Sequence, residues 1–295
     1  MKIASTRPTV FMTCYGLLNV TAATLRRKGA SMSAVSNWPS AVLTSAFGTH
    51  YDSQKVTMAI CVAYLEASRQ DATLTVAGLV SPKARWQSFE ERWPRALRAE
   101  GLTSFNGRAF IQGTGEFSNG WGLDAGRRRR LVAALDAVAG QSAILGVSYS
   151  LLLHDYRMAA RVLPRADAAP SPYAVCAGAA MSRILRWMRA EHSADVTLFV
   201  FEDGGIDHQQ VRQVAAAEGV AHAEPVQIWP REWLDEHGRR RVLRPIEACD
   251  LLMPDCHSGL ADRLIRRSAW DQELLDRDRL SRIFNALGAG EPLHT

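Results

Sequence analysis

The sequence predicts an α/β fold, a mixed β-sheet flanked by helices, with the body from about Thr49 to Asp262 folding as one domain. Three observations predict it. Two apolar, β-branched runs come first, Lys55 to Leu65 and Thr73 to Val80, split by the polar stretch Glu66 to Asp71, which reads as a hairpin. Beyond them strands alternate with helices, the order that gives a sheet covered by helices. The chain is 295 residues long, 47% hydrophobic and 22% charged, enough apolar material for a large core and too little charge for global disorder.

Each later element follows from a local signal. Ser81-Pro82 reads as an N-cap and first helical residue, and Trp86, Phe89, Trp93 and Leu97 follow at helical spacing to a stop at Gly101. Pro94 lies inside that pattern and favours a kink. The glycine-rich stretch Gly113 to Gly122 is a loop. Arg127 to Val138 is a helix and Ala143 to Leu153 a strand. Ala166 to Pro172 is a proline-rich linker into a helix from Tyr173 towards His192. Val196 to Phe201 is a short buried strand running into Glu202-Asp203-Gly204-Gly205. A helix from Asp207 to Gly219, a strand from Val226 to Trp229, a helix from Arg244-Pro245 through Leu252, and an amphipathic helix from Leu274 to Leu287 complete the order. The division expected is a poorly ordered extension over 1–40, the α/β domain over 41–266, and a C-terminal helix and tail over 267–295.

Composition limits the environment. No apolar run reaches the roughly 18–20 residues that span a bilayer, and Met1 to Ser40 has no sustained apolar segment of the kind a signal peptide carries. Five cysteines at wide spacing, with no CxxC, fit reduced thiols in the cytoplasm. Cys249, Cys256 and His257 have the wrong spacing for common zinc sites. Only four of the 35 basic residues are lysines, at a net charge of +5. Arginine suits phosphate, so nucleic acid is a candidate partner; the same excess also fits a coding bias. The runs Arg127 to Arg130 and Arg239 to Arg241 read either as phosphate contacts or as a solvated helix start and hairpin tip.

Five stretches in order carry a resemblance. They are Gly48-Thr49-His50 with Lys55 to Ala59; Ala77-Gly78-Leu79-Val80 followed by Trp86, Phe89 and Trp93; Ser104 to Phe110 with Gly115-Glu116-Phe117 and Gly120-Trp121; Phe201-Glu202-Asp203-Gly204; and Glu247-Ala248-Cys249-Asp250-Leu251-Leu252. Together they resemble a bacterial and phage family known as domain of unknown function 3800. The resemblance implies an RNase H-like fold and an acidic site holding Mg²⁺ or Mn²⁺, as in a metal-dependent nuclease or phosphoryl hydrolase. Carried onto this sequence, the catalytic and metal-binding candidates are Glu202, Asp203 and Asp250. The residues themselves allow this chemistry. Glu202 and Asp203 stand at the carboxyl end of a strand, where α/β sites form, and clustered carboxylates suit hard cations. Glu-Asp-Gly-Gly is also an ordinary turn, and Asp250 is equally able to cap a helix or pair with Arg244.

The sequence departs from the family pattern. Ser45-Ala46-Phe47 stands before Gly48 where the family has an acidic triplet, with Asp52 as a distant substitute. Asn106 and Ala109 replace a loop histidine and aspartate. A degenerate site follows as the expectation, with weak or no nuclease activity. The alternative is a non-catalytic relative that binds nucleic acid or a protein. Either way, Glu202 and Asp250 should face one cleft.

Overall fold

A computed structural model describes residues 60–118, 120–121, 124–163, 169–191, 196–203, 207–220, 226–234, 240–252 and 269–288. The expected extension over 1–40, the stretch 45–47, Asp52, Cys256 and His257 lie outside the described residues.

The first strand, β1 (Ile60–Gln70), is longer at its carboxyl end than the apolar run suggested. It continues through Glu66, because Glu66 to Gln70 pair antiparallel with Ala77 to Thr73 of β2 (Thr73–Pro82). The turn shrinks to Asp71-Ala72, with Asp71 in the left-handed region at φ 48°. Gly78 is fixed by close approach of the strands: a Cβ there would stand 2.9 Å from Leu65 Cγ and 3.1 Å from the Tyr64 carbonyl oxygen.

Ser81 and Pro82 end β2 rather than opening the helix. The Ser81 hydroxyl donates to the Ser142 carbonyl at 2.6 Å, so it caps nothing. Helix α1 (Lys83–Ala99) starts one residue later and runs through Pro94. Then come α2 (Gly107–Gln112), a single 3₁₀ turn at Gly115–Phe117, α3 (Ala125–Ser142), β3 (Leu145–Leu152) and α4 (Leu153–Ala159). They are followed by α5 (Pro172–Glu191), β4 (Val196–Glu202), α6 (His208–Ala217) and β5 (Val226–Trp229). The short hairpin β6 (Glu232–Leu234) and β7 (Arg240–Val242) leads into α7 (Arg244–Cys249) and a 3₁₀ turn at Asp250–Leu252. Leu274 and Leu275 do not begin the last helix. They end a strand, β8 (Ala269–Leu275), before α8 (Arg277–Gly288).

The fold is α/β with a mixed six-stranded sheet in the order β5-β4-β1-β2-β3-β8. Strands β1, β2 and β3 are antiparallel neighbours, β4 is parallel to β1, β5 to β4, and β8 to β3. Alternation along each strand sends side chains to two cores. Val62, Tyr64, Leu79, Leu198 and Val200 join α1, α3 and α7 on one face. Cys61, Ala63, Leu65, Phe199 and Phe201 join α5, α6 and α8 on the other. No described helix is long and apolar enough to cross a membrane.

Candidate acidic site

Strand alternation places the acids. Glu66 is in phase with Val62 and Tyr64, and Glu202 with Leu198 and Val200, so both leave the carboxyl ends of parallel neighbours on the α1–α3–α7 face. Asp250 reaches the same place from the turn that ends α7. Glu66 and Asp250 are buried and Glu202 is half-buried. Asp203 falls one residue past β4, is exposed, and anchors the strand end through its backbone N–H to the Trp229 carbonyl at 2.9 Å. Of the three carboxylates anticipated, Glu202 and Asp250 therefore share one end of one face, and Asp203 sits outside them.

The cation among these acids is Arg231. Its Nη1 donates to Glu66 Oε1 at 2.6 Å, and its Nη2 donates to Asp250 Oδ2 at 2.7 Å and to the Phe105 carbonyl at 3.0 Å. Asp250 Oδ2 also accepts from the Gly107 backbone N–H at 2.9 Å. Glu66 Oε2 is buried without a hydrogen-bond partner. Burial, reinforced by the charges of Asp250 and Glu202 and opposed by Arg231, pushes the Glu66 carboxyl well above the usual carboxylate range. Glu202 is raised by burial too, with Arg231 opposing and Asp250 adding. Burial alone would lower the pKa of Arg231; Glu66 and Asp250 outweigh it and hold the guanidinium above its ordinary value.

The loop 103–107 that meets Arg231 and Asp250 is held from two sides. Glu116 accepts from the Thr103 N–H and hydroxyl, both at 2.6 Å, and from the Ser104 hydroxyl at 3.0 Å. Arg244 donates to the Thr103 carbonyl at 2.8 Å and to both oxygens of the buried Glu247, whose Oε2 also accepts from Trp93 Nε1 at 2.7 Å. Rings from Trp86 through Phe89, Trp93, Phe105 and Phe117 to Trp121 pack in series beneath the loop. Asn106, at the place of the family's loop histidine, caps α2 by accepting from the Ala109 N–H at 2.8 Å. Next to Glu247, burial and the Glu247 charge, opposed by Arg244, push Glu90 up to about 8, and its Oε1 is buried without a partner.

Sequence reasoning placed Glu66 in a turn and missed Arg231. The signal for Glu66 was its phase, an acid two residues after Tyr64 and four after Val62. Arg231 had no such signal, because it is set by the meeting of β5, the β6–β7 hairpin and the 103–107 loop. The Arg127 to Arg130 run is partly committed to packing: Arg127 stacks on Trp121 and Arg128 on Phe110, each 3.9 Å from the ring centroid. Cys249 is buried against the Tyr64 carbonyl, to which its thiol donates at 3.3 Å.

The donor set of Glu66, Glu202 and Asp250 has the oxygen chemistry that Mg²⁺ and Mn²⁺ take, and Glu66 Oε2 has a free lone pair in it. With Arg231 in place, no group of three His, Cys, Asp or Glu side chains among the described residues is set to hold a metal ion. Comparison with family models, with curated proteins and with solved structures finds no significant match to the chain.

Proposed function

We propose that the chain is an RNase H-like protein of the metal-dependent nuclease or phosphoryl hydrolase class, with a degenerate site resting on a guanidinium in place of a cation. The observation that carries this reading is the convergence of Glu66, Glu202 and Asp250 on one end of the sheet around Arg231. The sheet supports it: three antiparallel strands followed by two parallel ones on the far side of β1 is the order expected of an RNase H-like sheet. Glu66 supplies the first-strand acid that Ser45-Ala46-Phe47 lacks.

Glu66, Glu202 and Asp250 are the residues that would hold Mg²⁺ or Mn²⁺, which when bound would activate a water and neutralise charge on a phosphodiester. The chain's own groups do the rest. Phe105 O and the Gly107 N–H fix the orientation of Arg231 and Asp250, and the buried aromatic row keeps the loop rigid. Nucleic acid is the proposed substrate class and the cytoplasm the proposed location, where the buried free thiols of Cys61, Cys176 and Cys249 stay reduced.

A second reading is favoured by the same arginine. Its bonds to Glu66, Asp250 and Phe105 satisfy much of the site without any metal, as in a non-catalytic relative that binds nucleic acid or a protein. Incubating the purified protein with single- and double-stranded DNA and RNA, with Mg²⁺ or Mn²⁺, separates the two. Slow metal-dependent cleavage lost in Asp250→Asn supports the hydrolase. Binding without cleavage at any metal concentration overturns it and leaves the non-catalytic relative.

A further inference from the structure

We propose that Arg231 is the phosphate-binding group of this site, releasing Glu66 and Asp250 to a divalent cation and taking a phosphate of the nucleic acid instead. The inference rests on the acidic-site reading above and assigns the substrate contact within it.

The root and the head of Arg231 are held differently. Its backbone carbonyl accepts from the Leu243 N–H at 2.8 Å, which ties the residue to the foot of the β6–β7 hairpin. Its head depends on side chains, with the Phe105 carbonyl as the one backbone acceptor. The Arg231 side chain keeps 17% of its exposure, against 5% for Glu66 and 8% for Asp250, so the arginine has an outward path and the acids do not.

Charge supplies the reason for exchange. Three carboxylates against one guanidinium leave negative charge uncompensated, and Glu66 Oε2 has no partner. A divalent cation would satisfy that charge better than a guanidinium. The two cations could not share the carboxylates, since like charges a few ångströms apart repel strongly in a buried setting. The displaced head is a planar fork of donors, which fits a phosphate as it fits a carboxylate. An arginine serving only to fill the site would need no such match. The metal and the phosphate then promote each other's binding, because each rewards the same position of Arg231.

The test is calorimetric and needs no turnover. Mn²⁺ is titrated into the full-length protein and into Arg231→Gln, each with and without a short phosphorothioate oligonucleotide that resists cleavage. The expected result has opposite signs. Arg231→Gln binds Mn²⁺ about tenfold more tightly or better and binds the oligonucleotide about tenfold more weakly, within the range seen when groups around a metal site are changed. In the wild type the oligonucleotide tightens Mn²⁺ binding; in the variant that coupling is gone. A structural role alone would weaken both affinities together, and that result overturns the proposal. If Arg231→Gln does not fold, the wild-type coupling decides: no gain in Mn²⁺ affinity with oligonucleotide overturns it. Mn²⁺ binding to the wild type with both affinities unchanged in Arg231→Gln removes the role of Arg231 and leaves the acidic site standing. Absence of Mn²⁺ binding in both proteins removes the acidic-site reading and the exchange with it.

Discussion

The two faces of the sheet are built to different rules. Against α5, α6 and α8 the core is Cys, Ala, Val, Leu, Met and Phe, with the small residues of α5 letting helices and sheet approach closely. Against α1, α3 and α7 the core is aromatic and has Glu66, Glu90, Glu247 and Asp250 set into it. Buried acids cost free energy unless paired, so the first face is stability alone and the second trades stability for chemistry. Substitutions on the two faces should therefore differ in kind: indifferent to pH and metal on one, sensitive to both on the other.

The largest effect is expected from Arg244→Met. It removes the partner of Glu247, whose side chain is 1% exposed, and the donor to the Thr103 carbonyl. Breaking a buried pair this way costs about 3–5 kcal/mol. Because burial already raises the Glu247 pKa, the cost should shrink as acid supplies the missing proton. Urea unfolding at pH 5 and pH 7.5 checks it; equal losses at both would contradict the account.

On the apolar face the matching experiment is Gly178→Ala. A Cβ there would lie 2.6 Å from Val214 and 2.8 Å from the Val211 carbonyl oxygen, forcing α5 and α6 apart. Overpacking of this kind costs about 2–3 kcal/mol. The loss should be the same at both pH values and unaffected by Mn²⁺, as read from unfolding curves.

Glu90→Gln should stabilise. With a folded pKa of about 8 against 4.5 unfolded, Glu90 binds more protons in the folded state. Its contribution is complete below pH 4.5 and is lost as pH rises towards 8, so ionisation weighs against the fold across that window. Glutamine removes the penalty, a gain of about 2 kcal/mol at pH 7.5 that fades towards pH 4.5. A gain that grows on acidification would reverse the sign and refute the buried-proton account. The smallest effect belongs to Arg240→Ala on the exposed Arg240–Glu232 pair, about 0.5 kcal/mol or less and screened by salt.

The contrast between the faces also explains what could be read from sequence. Periodicity found the helices around Trp86 and Met181 and the strand ending at Glu202, because burial repeats at 3.6 or 2 residues. It failed at β8, which follows from pairing with β3 and has no alternating pattern of its own. It also failed at Ser81-Pro82, where a distant carbonyl, that of Ser142, claims the would-be cap. For the site, Glu202 and Asp250 were legible as acids at element ends. Glu66 was hidden because a charge in an apolar run reads as the end of a strand. Arg231 is placed by contacts with Glu66 and Phe105, 165 and 126 residues away in sequence, which no local pattern contains.

The central claim is that Glu66, from β1, completes the acidic site that the 45–47 stretch leaves without an acid. Mn²⁺ affinity of wild type, Glu66→Gln and Ser45→Asp, measured side by side by electron paramagnetic resonance, tests it directly. The account predicts that Glu66→Gln weakens binding by about tenfold or more, the scale of losing one group at a metal site, and that Ser45→Asp matches the wild type. Tighter binding in Ser45→Asp with no loss in Glu66→Gln would contradict it.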